Sequence, residues 1–345
     1  MGFIAGAALG AVLTYLAATR IGLGTVAESV VRSEGSWVLA ATALMVASLF
    51  LRAESWLAIA RPALPGNRLR RRDVTSATMI GVLMSATLPA RLGEPARAII
   101  LARRAGRVGE TFPVLLGTLV SQTVLNLGAL AIIGAIIVGS TDLFSAGTER
   151  LFLLSAAPIL ILLAALFVPT LVRRNGSGLL ARALGVVRAA LLKARTGLAV
   201  FRDPRNGPIA AVTQLGAWAL QLLACLVLFT ALGLEDRPGI GLGAAAAVLF
   251  AVNVTAVVPA TPSNIGVFQL AVISVLTTGF GVSAADALAY GVILQAVEIA
   301  TAVVLGLPAL VREGVTWSDM KMRALSSAPV RLSPHPGAGA AESAH

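Results

Sequence analysis

Apolar residues in this chain are gathered into long uninterrupted runs, which are separated by shorter polar and basic stretches. About 20 residues of α-helix cross the hydrocarbon core of a bilayer, and helices satisfy their own backbone hydrogen bonds where no water is available. We interpret six runs as full transmembrane helices: residues 2–19, 36–51, 111–139, 151–171, 208–233 and 287–311. The pattern therefore predicts an all-α polytopic membrane protein.

Two further apolar segments, 74–104 and 241–280, are interrupted near their middle. The first is broken at Pro89 and by the charged residues that follow it, and the second at Pro259 and Pro262. Proline removes a backbone donor and kinks or ends a helix. Such a break at membrane depth persists only where protein or a water-filled cavity satisfies the freed groups. We therefore expect each segment to form a helical hairpin.

Basic residues indicate how these segments are oriented. All but four of the 27 lysines and arginines lie in four segments, namely 52–72, 91–107, 173–205 and 312–331. The positive-inside rule assigns these segments to the cytoplasm. Hairpin 74–104 has basic residues on both flanks, so it is predicted to enter and leave on the cytoplasmic side. Hairpin 241–280 lies between arginine-poor loops and is predicted to open outward, and both termini are predicted to be cytoplasmic.

This orientation predicts an internal symmetry, because each half of the chain has the order span, hairpin, span, in opposite directions. Short motifs recur at corresponding positions: Pro89 and Gly93 with Pro259 and Gly266, and Gly117 and Gln122 with Gly291 and Gln295. Inverted repeats with broken helices are a recurrent plan of membrane transporters. The predicted fold has six full transmembrane helices plus two oppositely oriented re-entrant hairpins, in an inverted-repeat architecture.

Composition narrows the function. With 57% apolar and 12% charged residues, the chain is neither disordered nor an ordinary soluble enzyme. The net charge of +11 is attributed to topology and anionic lipid rather than to nucleic acid. The single cysteine, Cys225, forms no internal disulfide, and His335 and His345 lie in the polar tail. We expect no metal, no cofactor and no enzymatic activity.

Three charged residues in the first hairpin give the strongest functional signal. Arg91, Glu94 and Arg97 are spaced three apart, which places them on one side of a helix. Charges at membrane depth are costly and face a cavity or each other, and arginine matches phosphate oxygens with paired hydrogen bonds. These residues are predicted to bind a lipid phosphate or head group, with Glu94 orienting an arginine. A salt bridge that only holds the hairpin together is the alternative.

Polar residues also cluster in the second hairpin, where a head group or sugar could be bound from the outer face. The candidates are Pro259, Pro262, Ser263, Asn264 and Gln269. They could equally serve to satisfy backbone carbonyls that proline leaves free.

The remaining candidates lie in ordinary spans. Glu298, with Gln295 one turn before it, is a possible proton or ion relay; a neutral packing residue is the alternative. Gln122 and Asn126 lie one turn apart in span 111–139, and contacts between helices are their alternative role. Segment 173–205 has a basic, amphipathic pattern typical of a membrane-surface helix.

Ten residues of the first hairpin carry a family resemblance. The stretch with Pro89, Arg91, Gly93, Glu94 and Arg97 is similar to the first motif of the transmembrane, flippase-like domain of bacterial lysylphosphatidylglycerol synthetases. A second motif of that family is matched less closely, by Pro259, Pro262, Ile265, Gly266 and Phe268. The resemblance implies a flippase-like transmembrane domain over residues 1–315, followed by a disordered cytoplasmic tail over 316–345.

Several positions depart from the family pattern. Gln269 stands where the family usually has glutamate, and Gln295 where it often has arginine. Gln122, Thr123 and Asn126 stand where it often has glutamate, arginine and aspartate. Any step that depends on charge at these positions is therefore not carried over. Lysyl transfer is not carried over either, because we expect this stand-alone chain to lack the aminoacyltransferase domain of the synthetases.

The resemblance implies a lipid flippase in the bacterial cytoplasmic membrane. Its expected partner is a phosphate-bearing lipid, either an anionic phospholipid or a polyprenyl-phosphate-linked glycan, and not nucleic acid. The alternative is a non-transporting membrane partner of a lipid- or glycan-modifying enzyme.

Overall fold

The computed structural model describes residues 28–66, 69–87, 93–106, 108–141, 195–256 and 264–312. Within these ranges the regular structure is helical and contains no strand. The α-helices are α1 (Gly35–Ala63), α2 (Arg71–Thr87), α3 (Gly93–Arg104), α4 (Val108–Ser140), α5 (Asn206–Ala231), α6 (Leu242–Thr255), α7 (Val267–Phe280) and α8 (Ala284–Arg312). A 3-10 helix, Gly197–Arg202, precedes α5.

Four of these helices, α1, α4, α5 and α8, are long and apolar enough to cross a membrane. They coincide with the predicted spans 36–51, 111–139, 208–233 and 287–311, so the chain is a multi-pass helical membrane protein. The predicted spans 2–19 and 151–171 and the predicted tail 316–345 lie outside the described residues.

Helix α1 extends further than its apolar run indicates. It continues through the basic segment to Ala63, and Trp56, Ile59 and Ala60 are all buried. Charged residues such as Arg52 interrupt the apolar run in the sequence, but residues 55–60 are all buried, so protein encloses this part of the helix on every side. The break in hydropathy therefore does not mark the end of the helix.

Helices α2 and α3 form the first interrupted segment and run antiparallel. Asp73 at the start of α2 pairs with Arg104 at the end of α3. Near the other end, a Cβ on Gly93 would lie 1.9 Å from the carbonyl oxygen of Gly81, so the two backbones touch there. At 17 and 12 residues these helices measure about 26 and 18 Å, less than the roughly 30 Å hydrocarbon core.

Helices α6 and α7 form the second interrupted segment in the same way. Each has 14 residues, about 21 Å, and the two pack against each other. Gly239, just before α6, lies beside the ring of Phe280 at the end of α7, so this pair is also antiparallel. The predicted bounds 74–104 and 241–280 thus coincide with two pairs of short helices.

The first long helices of the two halves, α1 and α5, pack against each other along their length. The Glu34 amide donates to the Ala231 carbonyl at 2.8 Å, whereas the Ser55 hydroxyl donates to the Ala210 carbonyl at 3.0 Å. The start of α1 therefore meets the end of α5, and the later turns of α1 meet the start of α5. The two helices are antiparallel.

The packing of the α-helices has a two-fold pattern. Helices α1, α2, α3 and α4 correspond, in that order, to α5, α6, α7 and α8. Wherever two of the described helices pack substantially against each other, their counterparts do so as well. For example, α8 packs on α2 as α4 packs on α6, and α4 contacts α1 as α8 contacts α5. The main core lies around α5, α6 and α8, where Phe229 and Tyr290 stack with ring centroids 4.6 Å apart.

Candidate functional site

The site is built around Arg97, a charged residue of α3 that is only 6% exposed. Its Nε donates to Glu94 Oε2 at 2.9 Å, and Nη2 donates to the same oxygen. The two residues are one turn apart on α3, so the helix itself brings them together. The Glu94 side chain is 51% exposed, which places the carboxylate at the edge of the site and the guanidinium inside it.

An aromatic ring covers the guanidinium. The Arg97 carbon Cζ lies 4.6 Å from the centroid of the Trp56 ring, a cation–π contact between α3 and α1. Trp56 is fully buried, and its Nε1 donates to Thr118 Oγ1 on α4 at 2.9 Å. Because the indole is anchored at its nitrogen, the ring holds the arginine in one place.

A chain of side-chain amides continues from Arg97 into the protein. Gln122 Oε1 on α4 accepts from Arg97 Nη2 at 2.8 Å, and Gln122 Nε2 donates to Gln214 Oε1 on α5 at 3.1 Å. Gln214 Nε2 donates to Asn126 Oδ1 at 2.6 Å, and Trp218 Nε1 donates to the same oxygen at 2.9 Å. Gln122 and Gln214 are buried. We call Arg97, Gln122, Gln214, Asn126 and Trp218 the polar network.

Helical spacing explains how the network forms. Thr118, Gln122 and Asn126 follow one another at intervals of four on α4, and Gln214 and Trp218 do so on α5. Each set therefore lies along one face of its helix. Since α4 packs on α5, the two faces meet and their amides pair.

The charge of Arg97 is paired with Glu94, but one nitrogen of its guanidinium is left for a further acceptor. Nε and Nη2 of Arg97 are used within the protein, whereas Nη1 has no hydrogen-bond partner among the described residues. Burial weakens the competition from water for that nitrogen. An anionic oxygen could therefore bind Arg97 without breaking its existing contacts.

A second polar pair links α7 to α8. Gln269 Nε2 donates to Gln295 Oε1, and Gln269 Oε1 accepts from the Gly266 amide at 2.7 Å. Both glutamines are buried. Gln269 thereby caps the first turn of α7, and the preceding Asn264 adopts a left-handed conformation with φ of 53°. These contacts are those expected of residues that satisfy the backbone at a helix break.

Glu298 lies apart from both the polar network and the Gln269–Gln295 pair. It is exposed on α8 and close enough to Arg52 of α1 for their charges to attract each other. The backbone carbonyl of Arg52 accepts from Gln122 Nε2 at 3.2 Å. Arg52 therefore connects the surroundings of Glu298 to the polar network through α1.

The structure brings together Glu94, Arg97, Gln122 and Asn126, and separately Gln269 with Gln295. Arg91, Pro259, Pro262 and Ser263 lie outside the described residues. Among the residues described, no group of histidine, cysteine, aspartate and glutamate is arranged to hold a metal ion.

Sequence reasoning missed Trp56, Gln214 and Trp218. The available signal was the spacing of Gln214 and Trp218 at one turn on an apolar helix, the same signal that singled out Gln122 and Asn126. No pattern along the chain indicated that these helix faces meet.

The long apolar helices and the buried arginine among them define a multi-pass membrane protein with a cationic site within its helices. The sequence profile of the lysylphosphatidylglycerol synthase TM region matches residues 3–306. The chain therefore belongs to the lysylphosphatidylglycerol synthase TM-region family, as the resemblance in the first hairpin predicted. A search of curated proteins finds no match to the chain.

Proposed function

We propose that this protein moves a phosphate-bearing lipid, or a lipid-linked sugar, across the bacterial cytoplasmic membrane. The observation that carries the proposal is the buried Arg97, held by Glu94, Trp56 and Gln122 with Nη1 left over. Charged residues among membrane helices are costly and mark substrate pathways. A lipid phosphate is the anion that a membrane supplies in quantity, and guanidinium matches its oxygens.

The proposed roles of Arg97 and Glu94 rest on their geometry, and those of the other residues rest on the sequence. Arg97 binds the phosphate, and Glu94 orients Arg97 from the edge of the site, where its side chain is exposed. Arg91 shares the phosphate. The head group then passes toward the second hairpin and leaves near Pro259, Pro262, Ser263, Asn264 and Gln269, with Glu298 as the acid available for coupling. No catalytic step on the lipid is proposed.

We also propose that the fold is an inverted repeat with two re-entrant hairpins, α2–α3 opening inward and α6–α7 opening outward. Three observations support it: the antiparallel pairing of α1 with α5, the two-fold pattern of helix contacts, and the shortness of the hairpin helices. In such transporters the substrate site lies near the bilayer midplane where the repeats meet. Gln122 is near the middle of α4, which fits that position.

The transport proposal is tested with the purified protein in vesicles that contain fluorescent phosphatidylglycerol or a polyprenyl-phosphate sugar. Head-group accessibility is followed for the wild type, Arg97→Gln and Arg103→Gln. Arg103 is an exposed arginine of the same helix, so it controls for the loss of one charge. Because hydrogen bonds to charged groups contribute about 1.5–3 kcal/mol, we expect Arg97→Gln to slow transport by roughly tenfold or more. Arg103→Gln should transport as the wild type does.

Folded Arg97→Gln protein that transports at the wild-type rate would show that Arg97 does not bind the phosphate. Arg97→Lys refines the test, because lysine keeps the charge but not the planar fork. We expect an intermediate rate for this variant. Arg91→Ala is expected to lose transport while it remains folded in the membrane.

The membrane path is tested by labelling single cysteines in a Cys225→Ala background. Cysteines at Arg72 and Arg103 should react only from the cytoplasmic side, and those at Gly239 and Gly281 only from the outside. A cysteine at Thr87, next to the turn of the first hairpin, should not react from the outside. Outside labelling at Thr87 would mean that this hairpin crosses the whole bilayer.

One observation favours a second function, that of a non-transporting membrane partner of a lipid- or glycan-modifying enzyme. The polar network apart from Arg97 is neutral, and its amides bond mainly to one another, as in a purely structural contact. Copurification with a glycosyltransferase, together with no lipid movement in vesicles, would support this function over transport.

A further inference from the structure

A groove lies near the start of α5, and none of the polar-network residues lines it. It has a volume of about 440 Å³ and is bounded by the 3-10 helix, the start of α5 and the middle of α4. Its apolar lining includes Leu125, Val200, Phe201, Pro204, Pro208 and Ala211. A cavity of this size and character is typical of sites that hold small, largely apolar ligands.

The rim of the groove is positively charged. Arg202 lines it, and Arg205 follows three residues later; both are exposed. The one acid there, Asp203, accepts from the backbone amides of Asn206 at 2.8 Å and Arg205 at 2.9 Å and from the Asn206 side chain. These hydrogen bonds hold the pKa of Asp203 below its usual value. Asp203 is thus occupied in starting α5, and two arginines against one carboxylate leave a net positive rim.

The surface beside the groove is apolar and exposed. Phe201 is 50% exposed and Val212 69% exposed, and Ile209 and Leu215 are exposed as well. Ile209, Val212 and Leu215 recur every three residues, so they share one outward face at the start of α5. The arginines therefore lie where apolar surface gives way to polar surface, the position of lipid phosphates at a membrane interface.

We propose that this groove binds an anionic phospholipid, with its phosphate on Arg202 and Arg205 and part of an acyl chain among the apolar lining. The rim supplies the charge complementarity, and the exposed face of α5 supplies direct access from the bilayer. This lipid site is distinct from the Arg97 site, because neither Arg97 nor any other residue of the polar network is among the residues that line the groove. It does not depend on whether the protein transports lipid.

Native mass spectrometry of the full chain, titrated with phosphatidylglycerol or phosphatidylcholine, tests the proposal. An arginine near anionic lipid contributes about 1 kcal/mol. We therefore expect Arg202→Gln/Arg205→Gln to weaken phosphatidylglycerol binding roughly tenfold or more and to leave phosphatidylcholine binding unchanged. The matched control, Arg103→Gln/Arg312→Gln, removes two exposed arginines elsewhere and should bind phosphatidylglycerol as the wild type does.

The apolar part of the site is tested by Ala211→Phe, which fills the groove, and by Phe201→Ala, which removes an exposed part of its wall. Both should weaken phosphatidylglycerol binding several-fold with the arginines intact. If both double-arginine variants lost phosphatidylglycerol binding to the same extent, the loss would be due to general surface charge. That result would overturn the proposal. Unchanged binding in both Ala211→Phe and Phe201→Ala would overturn it as well.

Discussion

At the scale of single residues, the protein keeps a charge inside a bundle of apolar helices by surrounding it with partners. A buried unpaired charge is very costly. Arg97 has a carboxylate on its own helix, an indole face from α1 and an amide from α4. Each partner is itself held by a further contact, so the guanidinium has little freedom to rearrange. An arginine fixed in this way is already oriented for an anion before one arrives.

Gln122 connects the charge to the rest of the network, and two substitutions separate its structural and electrostatic roles. Gln122→Leu removes the hydrogen bonds that Gln122 donates to the Arg52 carbonyl and to Gln214, and the one that it accepts from Arg97. We expect it to lower the free energy of unfolding by about 2–4 kcal/mol. Gln122→Glu keeps the size and still accepts from Arg97, but its carboxylate cannot donate to the Arg52 carbonyl or to Gln214. It also adds a second carboxylate beside the Arg97–Glu94 pair, which would repel a phosphate.

Thermal unfolding in detergent and transport in vesicles are measured for both variants. Gln122→Leu should lower the unfolding midpoint. Gln122→Glu should lower it by a similar amount, because it loses the same two donated hydrogen bonds, and its added negative charge should also abolish transport. A Gln122→Glu protein with full transport activity would contradict the role of Arg97 as the anion site.

The residues of the site could be predicted from sequence only where the signal is local. Glu94 and Arg97 stand out because charges are rare in this chain and lie one turn apart. Gln122 and Asn126 stand out because they are polar residues one turn apart in an apolar span. Trp56, Gln214 and Trp218 were missed because they join the site from other helices, and packing between helices leaves no mark on the spacing along one helix.

At the scale of elements, the first hairpin depends on a close approach of two backbones. Gly93 has no room for a side chain, since a Cβ there would lie 1.9 Å from a backbone oxygen and 2.2 Å from the Ser85 hydroxyl. A backbone atom cannot give way as a flexible side chain can. The position of α3, and with it the position of Arg97, follows from this contact.

Substitution of glycines tests the contact. Gly93→Ala should force α2 and α3 apart and lower the free energy of unfolding by about 1–3 kcal/mol. Gly128→Ala is the control, because a Cβ at Gly128 in α4 would meet nothing within 4 Å. It should leave stability unchanged or raise it by up to about 1 kcal/mol. Unfolding midpoints of the two variants in one detergent give the comparison, and similar values would mean that the Gly81 contact is not required.

The elements were largely predictable, because hydropathy and proline positions define them locally. The bounds of α4, α5 and α8 and of both short-helix pairs fall within a few residues of the expected ones. The end of α1 was not predictable from hydropathy, since charged residues share its last turns with buried apolar ones. The cytoplasmic orientation of the basic segments stays a prediction.

At the scale of the whole molecule, α1 and α5 form the central antiparallel pair on which the two halves meet. Cysteines introduced at Ser55 and Ala210, where a side chain and a backbone oxygen are 3.0 Å apart, should cross-link on oxidation in a Cys225→Ala background. Cysteines at Ser55 and Leu228 should not, because Leu228 lies at the far end of α5. Gel mobility of the oxidised proteins distinguishes the two. Cross-linking of the second pair alone would mean that the helices are parallel.

The two-fold pattern of contacts has a consequence for the origin of the fold. Among the described helices, each contact between the halves has a counterpart in which the two halves exchange roles. Each half therefore carries both of the surfaces that such a pair of contacts uses. That is the property of an isologous dimer, in which one patch on each subunit binds the same patch on the other. An antiparallel arrangement requires the two subunits to enter the bilayer in opposite directions. The described helices thus have the contact pattern of a dual-topology homodimer whose two copies have become one chain.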